Sequence, residues 1–307
     1  FAVLLLLAMD LRVMKDIFPQ SLFDLFSVQT FRGIHATAED VILTGTEDDD
    51  SWMVLGNITS RDGYKAQLNL GNGNDSVRVF GSMEAHNNGI TEINAAETVT
   101  ISSKVLAASG GKNVILNAEN VNIGGALESD GGENQIVASN SLHIVGGVLA
   151  TNGGQNRVDT DYTASSAIIE GGITTDSSSR NYMSFSNDDT TIRGNITTTN
   201  SSMTTLALGK NANITIEDEV YTEGSTFRIG FNAAGNNTYV NLQSGITTLN
   251  GRAEIELRNS CHIKADHITT IDNITALQMG NDSYLHVANG LIADNGYNSL
   301  AFGNGDN

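Results

Sequence analysis

The residues of this chain that could do acid–base or metal chemistry are few and scattered. Asp188 and Asp189 form an adjacent carboxylate pair, and two carboxylates act as acid and base in glycoside hydrolysis. They fall in an Asn-Asp-Asp-Thr segment, which is typical of a turn. The six histidines have no metal-ligand spacing and stand at His35, His86, His143, His262, His267 and His286. A Gly-x-Ser-x-Gly motif and a phosphate-binding loop are also absent, so the sequence predicts no catalytic residue and no enzyme.

Two acidic segments could bind a cation. Glu47–Asp50 places four carboxylates side by side. Gly71–Val77, which reads GNGNDSV, resembles most of the RTX β-roll nonapeptide, with Leu70 at the position of the first glycine. That resemblance implies Ca²⁺ binding by Asp75 and the turn carbonyls, but the family needs tandem copies, and the chain has only a second, imperfect echo at Gly303–Asp306. We therefore expect Glu47–Asp50 to be a solvated turn and the Asp75 segment to be an ordinary turn, and we predict no bound metal or cofactor.

The elements that must position these residues are set by a repeat. From Gly56 onward the chain divides into eleven units, each beginning at an apolar anchor, and successive anchors are 21 to 26 residues apart. The anchors are Ile58, Met83, Val105, Leu127, Val148, Ile173, Ile196, Val220, Ile246, Ile268 and Leu291. Two positions after each anchor the residue is Ser, Ala or Thr, which suggests a tight corner. Self-similarity at this period is typical of solenoids, in which each unit buries its apolar face against its neighbours.

Within each unit, apolar residues alternate as they do in half-buried strands. The middle of the unit carries pairs such as Leu68/Leu70, Val114/Leu116, Met183/Phe185 and Leu300/Phe302, and the end carries pairs such as Val77/Val79 and Leu285/Val287. Three short strands per unit fit a period of about 22–23 residues. The sequence therefore predicts an all-β protein, a single parallel β-solenoid (β-helix) of about eleven coils.

Asparagine recurs in the turn after the middle strand, two positions beyond its second inward residue. These asparagines are Asn72, Asn140, Asn187, Asn259, Asn281 and Asn304. Stacking of the coils would bring them into one column, where amide side chains can bond from coil to coil.

The first thirty residues differ from the repeat. Residues 2–17 have apolar side chains at helical spacing and are interrupted at Pro19, and Ser21 could cap a second short helix through Phe26. The apolar run is too short for a membrane span. We expect residues 1–30 to be an N-terminal helical segment that caps the first coil or docks on another molecule. Residues 31–307 then form the solenoid, with a degenerate coil before the regular coils begin at residue 56.

Charge and cysteine content limit the partners. The net charge is −19 with 16 Lys and Arg, which argues against binding to nucleic acid or to an anionic membrane. The single cysteine, Cys261, rules out an intrachain disulfide framework.

The uniform coils, rich in Gly, Asn, Ser and Thr, resemble the repetitive β-solenoid shafts of large microbial surface proteins. Those proteins are filamentous-haemagglutinin-like adhesins and autotransporter passengers. The resemblance implies an extracellular or cell-surface rod, with a filament, sheath or surface layer as first hypothesis and the shaft of an adhesin, with glycans as possible partners, as second. A polysaccharide lyase or hydrolase is a distant third. The β-helix enzymes build their clefts from long loops between strands, whereas successive anchors of this chain are never more than 26 residues apart.

The last coil ends in the middle of its repeat, at Leu300 to Asn307. A strand edge left open there is a template for another strand. We therefore expect either that the chain is part of a longer protein or that it associates head to tail with a second copy through residues 1–30 or its first coil. A head-to-tail contact does not close on itself and produces a filament.

Overall fold

The computed structural model describes residues 28–46, 48–71, 73–94, 97–160, 166–186, 189–230 and 236–303. Within these residues every regular element is a β-strand, and all the strand pairings are parallel. The all-β prediction is confirmed. The helices expected between residues 2 and 26 lie outside the described residues, and β1 (Val28–Phe31) is a strand that pairs with the first coil.

The strands form three faces of a solenoid, numbered here along the chain. The strands of face 1 are β2 (Ile34–Ala36), β5 (Ile58–Ser60), β8 (Met83–His86), β11 (Val105–Ala108), β13 (Leu127–Asp130), β15 (Val148–Thr151), β18 (Ile173–Thr175), β21 (Ile196–Thr199), β24 (Val220–Glu223), β27 (Ile246–Leu249), β30 (Ile268–Ile271) and β33 (Leu291–Asp294). Face 2 contains β3 (Val41–Thr44), β6 (Lys65–Asn69), β9 (Ile90–Asn94), the first half of β12 (Lys112–Ile123), the first half of β14 (Glu133–Ile144), β16 (Gln155–Thr160), β19 (Arg180–Phe185), β22 (Met203–Leu208), β25 (Thr226–Ile229), β28 (Arg252–Glu256), β31 (Ile274–Met279) and β34 (Tyr297–Phe302). Face 3 contains β1, β4 (Ser51–Val54), β7 (Ser76–Val79), β10 (Thr98–Ile101), the second halves of β12 and β14, β17 (Ser166–Ile169), β20 (Asp189–Ile192), β23 (Asn213–Ile216), β26 (Tyr239–Leu242), β29 (His262–Ala265) and β32 (Tyr284–Val287).

The predicted register is confirmed on face 1, where each anchor pairs with the anchor of the next coil. Ile58 pairs with Met83, for example, and Ile268 pairs with Leu291. The degenerate coil is a real one, since Ile34 of β2 pairs with Ile58 of β5. The described chain thus forms eleven three-strand coils, from β2–β4 to β30–β32, followed by β33 and β34.

The small residues two positions after the anchors lie at the corner between faces 1 and 2. Ala85, Ala107, Ala150 and Thr175 have no exposed surface there. The turn that follows uses left-handed backbone, with φ of 57° at Asp62 and 52° at Asn152. Asn and Asp tolerate this conformation because their short side chains bond the local main chain. The left-handed backbone therefore explains why these residues are common in the turns.

One predicted pair is wrong by one residue. In β12 the inward side chains are Asn113 and Ile115, whereas Val114 and Leu116 were predicted to point inward. Ile115 pairs with Ile93 in the coil before and with Ile136 in the coil after. A shift by one residue moves a whole strand to the other face, and the unbroken apolar run from Val114 to Leu116 hid the correct alternation.

The passage from face 2 to face 3 is the part of the coil that varies most. Two of the shorter coils have no loop there, because β12 and β14 are single twelve-residue strands that continue around the corner, with a register irregularity after Ile115. Longer coils have extra residues at the same corner, between β16 and β17 and between β25 and β26. The variation in period is therefore taken up mainly at this corner, while face 1 stays regular.

Inward side chains from all three faces form one continuous apolar core that runs along the solenoid. The last coil is an exception, because nothing in the described residues stacks on β34. Leu300 and Phe302 align with the buried Leu277 and Met279 but are about 40% exposed.

Candidate functional site

The acidic segment and Asp75 lie on adjacent coils, where they hold turns together. Asp75 is fully buried, and its Oδ1 accepts a hydrogen bond from the Asp50 backbone N–H at 2.7 Å. Asp50 is also buried, and its Oδ2 accepts hydrogen bonds from the N–H and the hydroxyl of Thr46 at 2.5 and 3.2 Å. The exposed Asp49 accepts the Asn74 N–H at 2.9 Å. The expectation of a solvated turn is therefore wrong for Asp50, because in-register stacking on the buried Asp75 carries its side chain inward.

These carboxylates do not assemble a metal centre within the described residues. Ca²⁺ binds six to eight oxygen ligands, usually several of them carboxylate oxygens. No group of three or more His, Cys, Asp or Glu side chains that could hold an ion occurs in the described part of the chain. Asp75 Oδ2 is buried without a hydrogen-bond partner, and so is Trp52 Nε1 in the coil below. One acceptor and one donor are thus left unsatisfied at adjacent inward positions.

Of the candidate acid–base pair, the structure describes Asp189. Asp189 lies at the start of β20, and its Oδ1 accepts a hydrogen bond from the Asn213 amide of the next coil at 3.0 Å. Asp188 lies outside the described residues. Asp189 therefore makes a coil-to-coil contact of the same kind as other turn carboxylates.

Most of the histidines pair with neighbouring side chains on the solenoid surface, each at a separate place. The contacts are His35 with Thr59, His86 with Glu84, His143 with Glu170, His267 with Asp266, and His262 with the ring of Tyr284. Within the described ranges no two histidines pair with one another and none belongs to a group that could hold a metal ion.

Two surface carboxylates have a pKa shifted below the ordinary range. Burial raises the pKa of Glu84, but hydrogen bonds from Ser82 and His86 and the charges of His86 and Lys104 outweigh it and lower the pKa. Asp176 has a lowered pKa because Thr199 and Asn200 of the next coil donate hydrogen bonds to its Oδ1 at 2.7 and 2.6 Å. A catalytic acid requires the opposite shift, towards neutral pH. Glu84 therefore orders groups of its own strand, and Asp176 links its coil to the next.

Two surface depressions of the described chain are shallow, and neither is lined by an acid–base constellation. One lies at the corner between faces 1 and 2 and is lined by Ser202, Ser225, Asn250, Arg252 and neighbouring residues. Another is the open edge beside Met279 and Phe302. Neither encloses a substrate in the way that an enzyme cleft does.

The most organised polar feature is a buried asparagine column on face 2, which the sequence did not predict. Asn113, Asn134, Asn156 and Asn181 occupy the first inward position of successive face 2 strands. Each amide donates from Nδ2 to the Oδ1 of the next, at 2.8, 2.8 and 2.9 Å. Their sequence signal is an asparagine two residues before an inward apolar residue, as in Asn134-Gln135-Ile136.

Threonines extend this column in both directions. Thr91 hydrogen-bonds to Asn113 Oδ1 at one end. At the other end the Asn181 amide donates to Thr175 Oγ1 at 2.7 Å, and Thr175 contacts Thr204 at 2.6 Å. Thr175 is one of the small corner residues two positions after an anchor. Its hydroxyl shows that a threonine at the corner can also hydrogen-bond to the buried column.

The turn asparagines that the sequence placed in one column are described only in part. The Asn281 backbone N–H donates to Asn259 Oδ1 at 2.9 Å, and Asn259 makes the same contact to Asn236 at 3.3 Å. These three asparagines stack from coil to coil as predicted, but each bond joins a main-chain N–H to a side-chain oxygen and not two side chains. Asn140 bonds Asn120 on another coil, while Asn72, Asn187 and Asn304 lie outside the described residues.

Comparisons with protein-family models, with curated proteins and with solved structures gave no match to this chain. Among the described residues, no helix has the length and apolar character needed to cross a membrane. The geometry of the chain itself is therefore the basis of the functional argument.

Proposed function

We propose that this chain is an extracellular structural protein, a β-solenoid subunit that assembles head to tail into a filament, sheath or surface layer. The observation that carries the proposal is the uninterrupted parallel ladder. Face 1 alone has twelve strands in register from β2 to β33. Buried side chains and turn carboxylates bond from coil to coil along it, so the described polar chemistry serves the stacking.

Assembly along the axis follows from the shape of an exposed coil. The β33 and β34 strands bond the preceding coil on one side, and their other edge carries the same main-chain groups as every internal rung. Leu300 and Phe302 present apolar surface there. A second solenoid can stack on this edge as a further coil would, through strand pairing and apolar contact.

The extracellular location rests on the resemblance to surface-protein shafts and on the uniform coils. The charge of −19 is consistent with a role in solution or at a surface, because it keeps a strand-rich object from associating sideways. It also disfavours partners of the same sign, such as nucleic acid.

The test is assembly of the purified chain measured by sedimentation velocity and electron microscopy over a wide concentration range. We expect polymers that lengthen with concentration. A chain carrying both Leu300→Lys and Phe302→Lys should stay monomeric with unchanged circular dichroism, because two ammonium groups cannot be buried at the stacking edge. Val145→Lys is the matched control, since Val145 is also 40% exposed but lies on a different coil, far from that edge.

A wild-type chain that stays monomeric at high concentration would refute head-to-tail assembly. The second candidate would then stand: the solenoid would be the shaft of a large surface adhesin, with the edge of β33 and β34 covered by other parts of that protein. Polymers that form equally well in the Leu300→Lys and Phe302→Lys chain would instead place the contact elsewhere.

A further inference from the structure

Three aromatic rings lie in one outward column of face 3. Tyr239, His262 and Tyr284 are paired in register at the first position of β26, β29 and β32. All three side chains are exposed, and the rings of His262 and Tyr284 are 6.0 Å apart between centroids. Tyr239 and Tyr284 are two rungs apart, which is about 9.6 Å along the axis. We call these residues the aromatic stripe.

A second column beside the stripe is polar. Asn241, Lys264 and His286 stand two residues further along the same three strands and face the same side. Within the described chain, the side chains of this column and of the stripe make no hydrogen bond or ion pair; the contact of His262 with Tyr284 is between rings. Face 3 therefore offers ring surfaces next to amide, ammonium and imidazole groups that no part of the described protein uses.

Tyr182 and Tyr221, two other outward tyrosines of the described chain, differ in this respect. The Tyr221 hydroxyl donates to Glu223 at 2.9 Å, and Tyr182 lies 5.8 Å from the Arg157 guanidinium. Charged side chains on face 2 likewise pair across coils, as Lys65 does with Glu92 and Arg228 does with Glu254. Exposed rings beside polar groups that make no hydrogen bond or ion pair thus distinguish the stripe from the surroundings of Tyr182 and Tyr221.

We propose that the aromatic stripe and its polar column bind an extended neutral glycan laid along the solenoid axis. A sugar ring has an apolar C–H face that stacks on an aromatic ring and hydroxyl groups that bond amides and cationic side chains. The two tyrosines are separated by about the length of a disaccharide, so alternate sugars can stack on them while the sugar between lies over His262. Asn241, Lys264 and His286 are then positioned to bond the hydroxyls.

Other ligands that stack on aromatic rings fit the surface less well. Nucleic acid bases stack on such rings, but a strongly anionic strand is repelled by a chain of net charge −19. A protein partner requires a larger apolar centre than two tyrosines and a histidine provide. The proposal does not depend on head-to-tail assembly, because the stripe is complete within one chain.

The experiment is calorimetric titration of the full chain with four neutral hexasaccharides: cellohexaose, laminarihexaose, mannohexaose and fully N-acetylated chitohexaose. We expect at least one of these sugars to bind within the range of sugar concentrations up to millimolar. The variant Tyr239→Ala combined with Tyr284→Ala should weaken that binding at least tenfold. The control Tyr182→Ala should not, although Tyr182 is 38% exposed and Tyr239 is 37% exposed. Tyr239→Phe, which keeps the ring, should bind nearly as the wild type does.

Three results would overturn the proposal. In the first, no hexasaccharide binds; in the second, Tyr182→Ala weakens binding as much as the double variant. In the third, a heparin hexasaccharide or a single-stranded oligonucleotide binds while every neutral sugar fails, which would indicate a polyanion site. Circular dichroism and melting temperatures of the variants show that they are folded, and sedimentation of the same samples reports assembly separately.

Discussion

At the scale of single residues, the buried asparagine column is the feature that fixes coil register. Each of its amides is buried and hydrogen-bonded to the next, and Asn134 and Asn156 also donate to the backbone carbonyls of Glu128 and Leu149. An apolar column would tolerate a coil shifted along its neighbour, because apolar contacts are not directional. An amide column does not, since a shift leaves buried donors and acceptors without partners.

Replacing Asn156 with alanine should therefore be costly. The change removes the bonds to Leu149 O and Asn181 Oδ1 and leaves the Asn134 amide with one acceptor fewer. We expect a loss of on the order of 2–4 kcal/mol in the free energy of unfolding, since each buried group left unsatisfied costs roughly 1–3 kcal/mol. Urea unfolding followed by circular dichroism measures it. Asn122→Ala, an outward residue on face 3, should stay within about 0.5 kcal/mol of wild type; equal losses in the two variants would contradict the role of the column.

Calcium should have little effect on stability. Asp50 and Asp75 are the two buried carboxylates of the acidic turns, and main-chain and hydroxyl donors already occupy Asp50 Oδ2 and Asp75 Oδ1. The melting temperature should be the same in excess chelator and in millimolar CaCl₂. A large fall in chelator that Asp75→Asn abolishes would show that the unpartnered Asp75 Oδ2 binds a cation.

At the scale of elements, the corner between faces 1 and 2 links consecutive coils by paired turn residues. An asparagine of one coil donates to an aspartate of the coil before, at 3.1 Å for Asn87 and Asp62 and at 2.6 Å for Asn152 and Asp130. Asn200 and Asp176 repeat the contact at 2.6 Å. The bonds to Asp176 lower its pKa, so at this position the corner couples strand stacking to pH.

Stability should fall in acid partly through Asp176. Its pKa is lowered in the folded chain, so its contribution is present above the ordinary value of 3.8 and is lost as pH falls through the folded value. Asp176→Ala should lower the melting temperature at pH 7, and the difference from wild type should shrink below the ordinary pKa. Glu256→Ala removes an exposed carboxylate with no bonding partner in the described chain and should change the melting temperature little at either pH. A difference for Asp176→Ala that is constant from neutral to acid would contradict this account.

At the scale of the whole molecule, the solenoid is a one-dimensional object in which each coil contacts its neighbours. Twelve rungs of face 1 at about 4.8 Å span roughly 53 Å. Stability then grows with the number of coils, and the terminal rungs are the places where unsatisfied main-chain groups meet solvent or a partner.

A filament built by coil-on-coil stacking should have a defined axial repeat. Twelve rungs per subunit at about 4.8 Å give roughly 58 Å, together with a layer line near 4.8 Å along the axis. Electron cryomicroscopy of the polymers measures both. Side-by-side association would instead place the strand spacing across the long axis of the aggregate, and that result would contradict axial stacking.

The sequence by itself determined the class of fold, the number of coils and the register of face 1. It could do so because the anchor and the small corner residue recur together in every unit, from Ile58 and Ser60 to Ile268 and Thr270. Period-two alternation identified most strands of faces 2 and 3 for the same reason. It failed at Asn113 and Ile115, where three consecutive apolar residues allow two registers and the correct one buries an asparagine.

Only the tertiary structure decided which polar residues are buried and which are free. Asn134 and Asn156 resemble turn asparagines in the sequence, but partners in the adjacent coils make their burial favourable. Asp75 lies in a segment that reads as an exposed turn, yet stacking on Asp50 carries it inward. Tyr239 and Tyr284 are 45 residues apart in the chain and become near neighbours because the strands pair in register. Pairing between distant strands depends on the lengths of all the turns between them, which local sequence patterns do not specify.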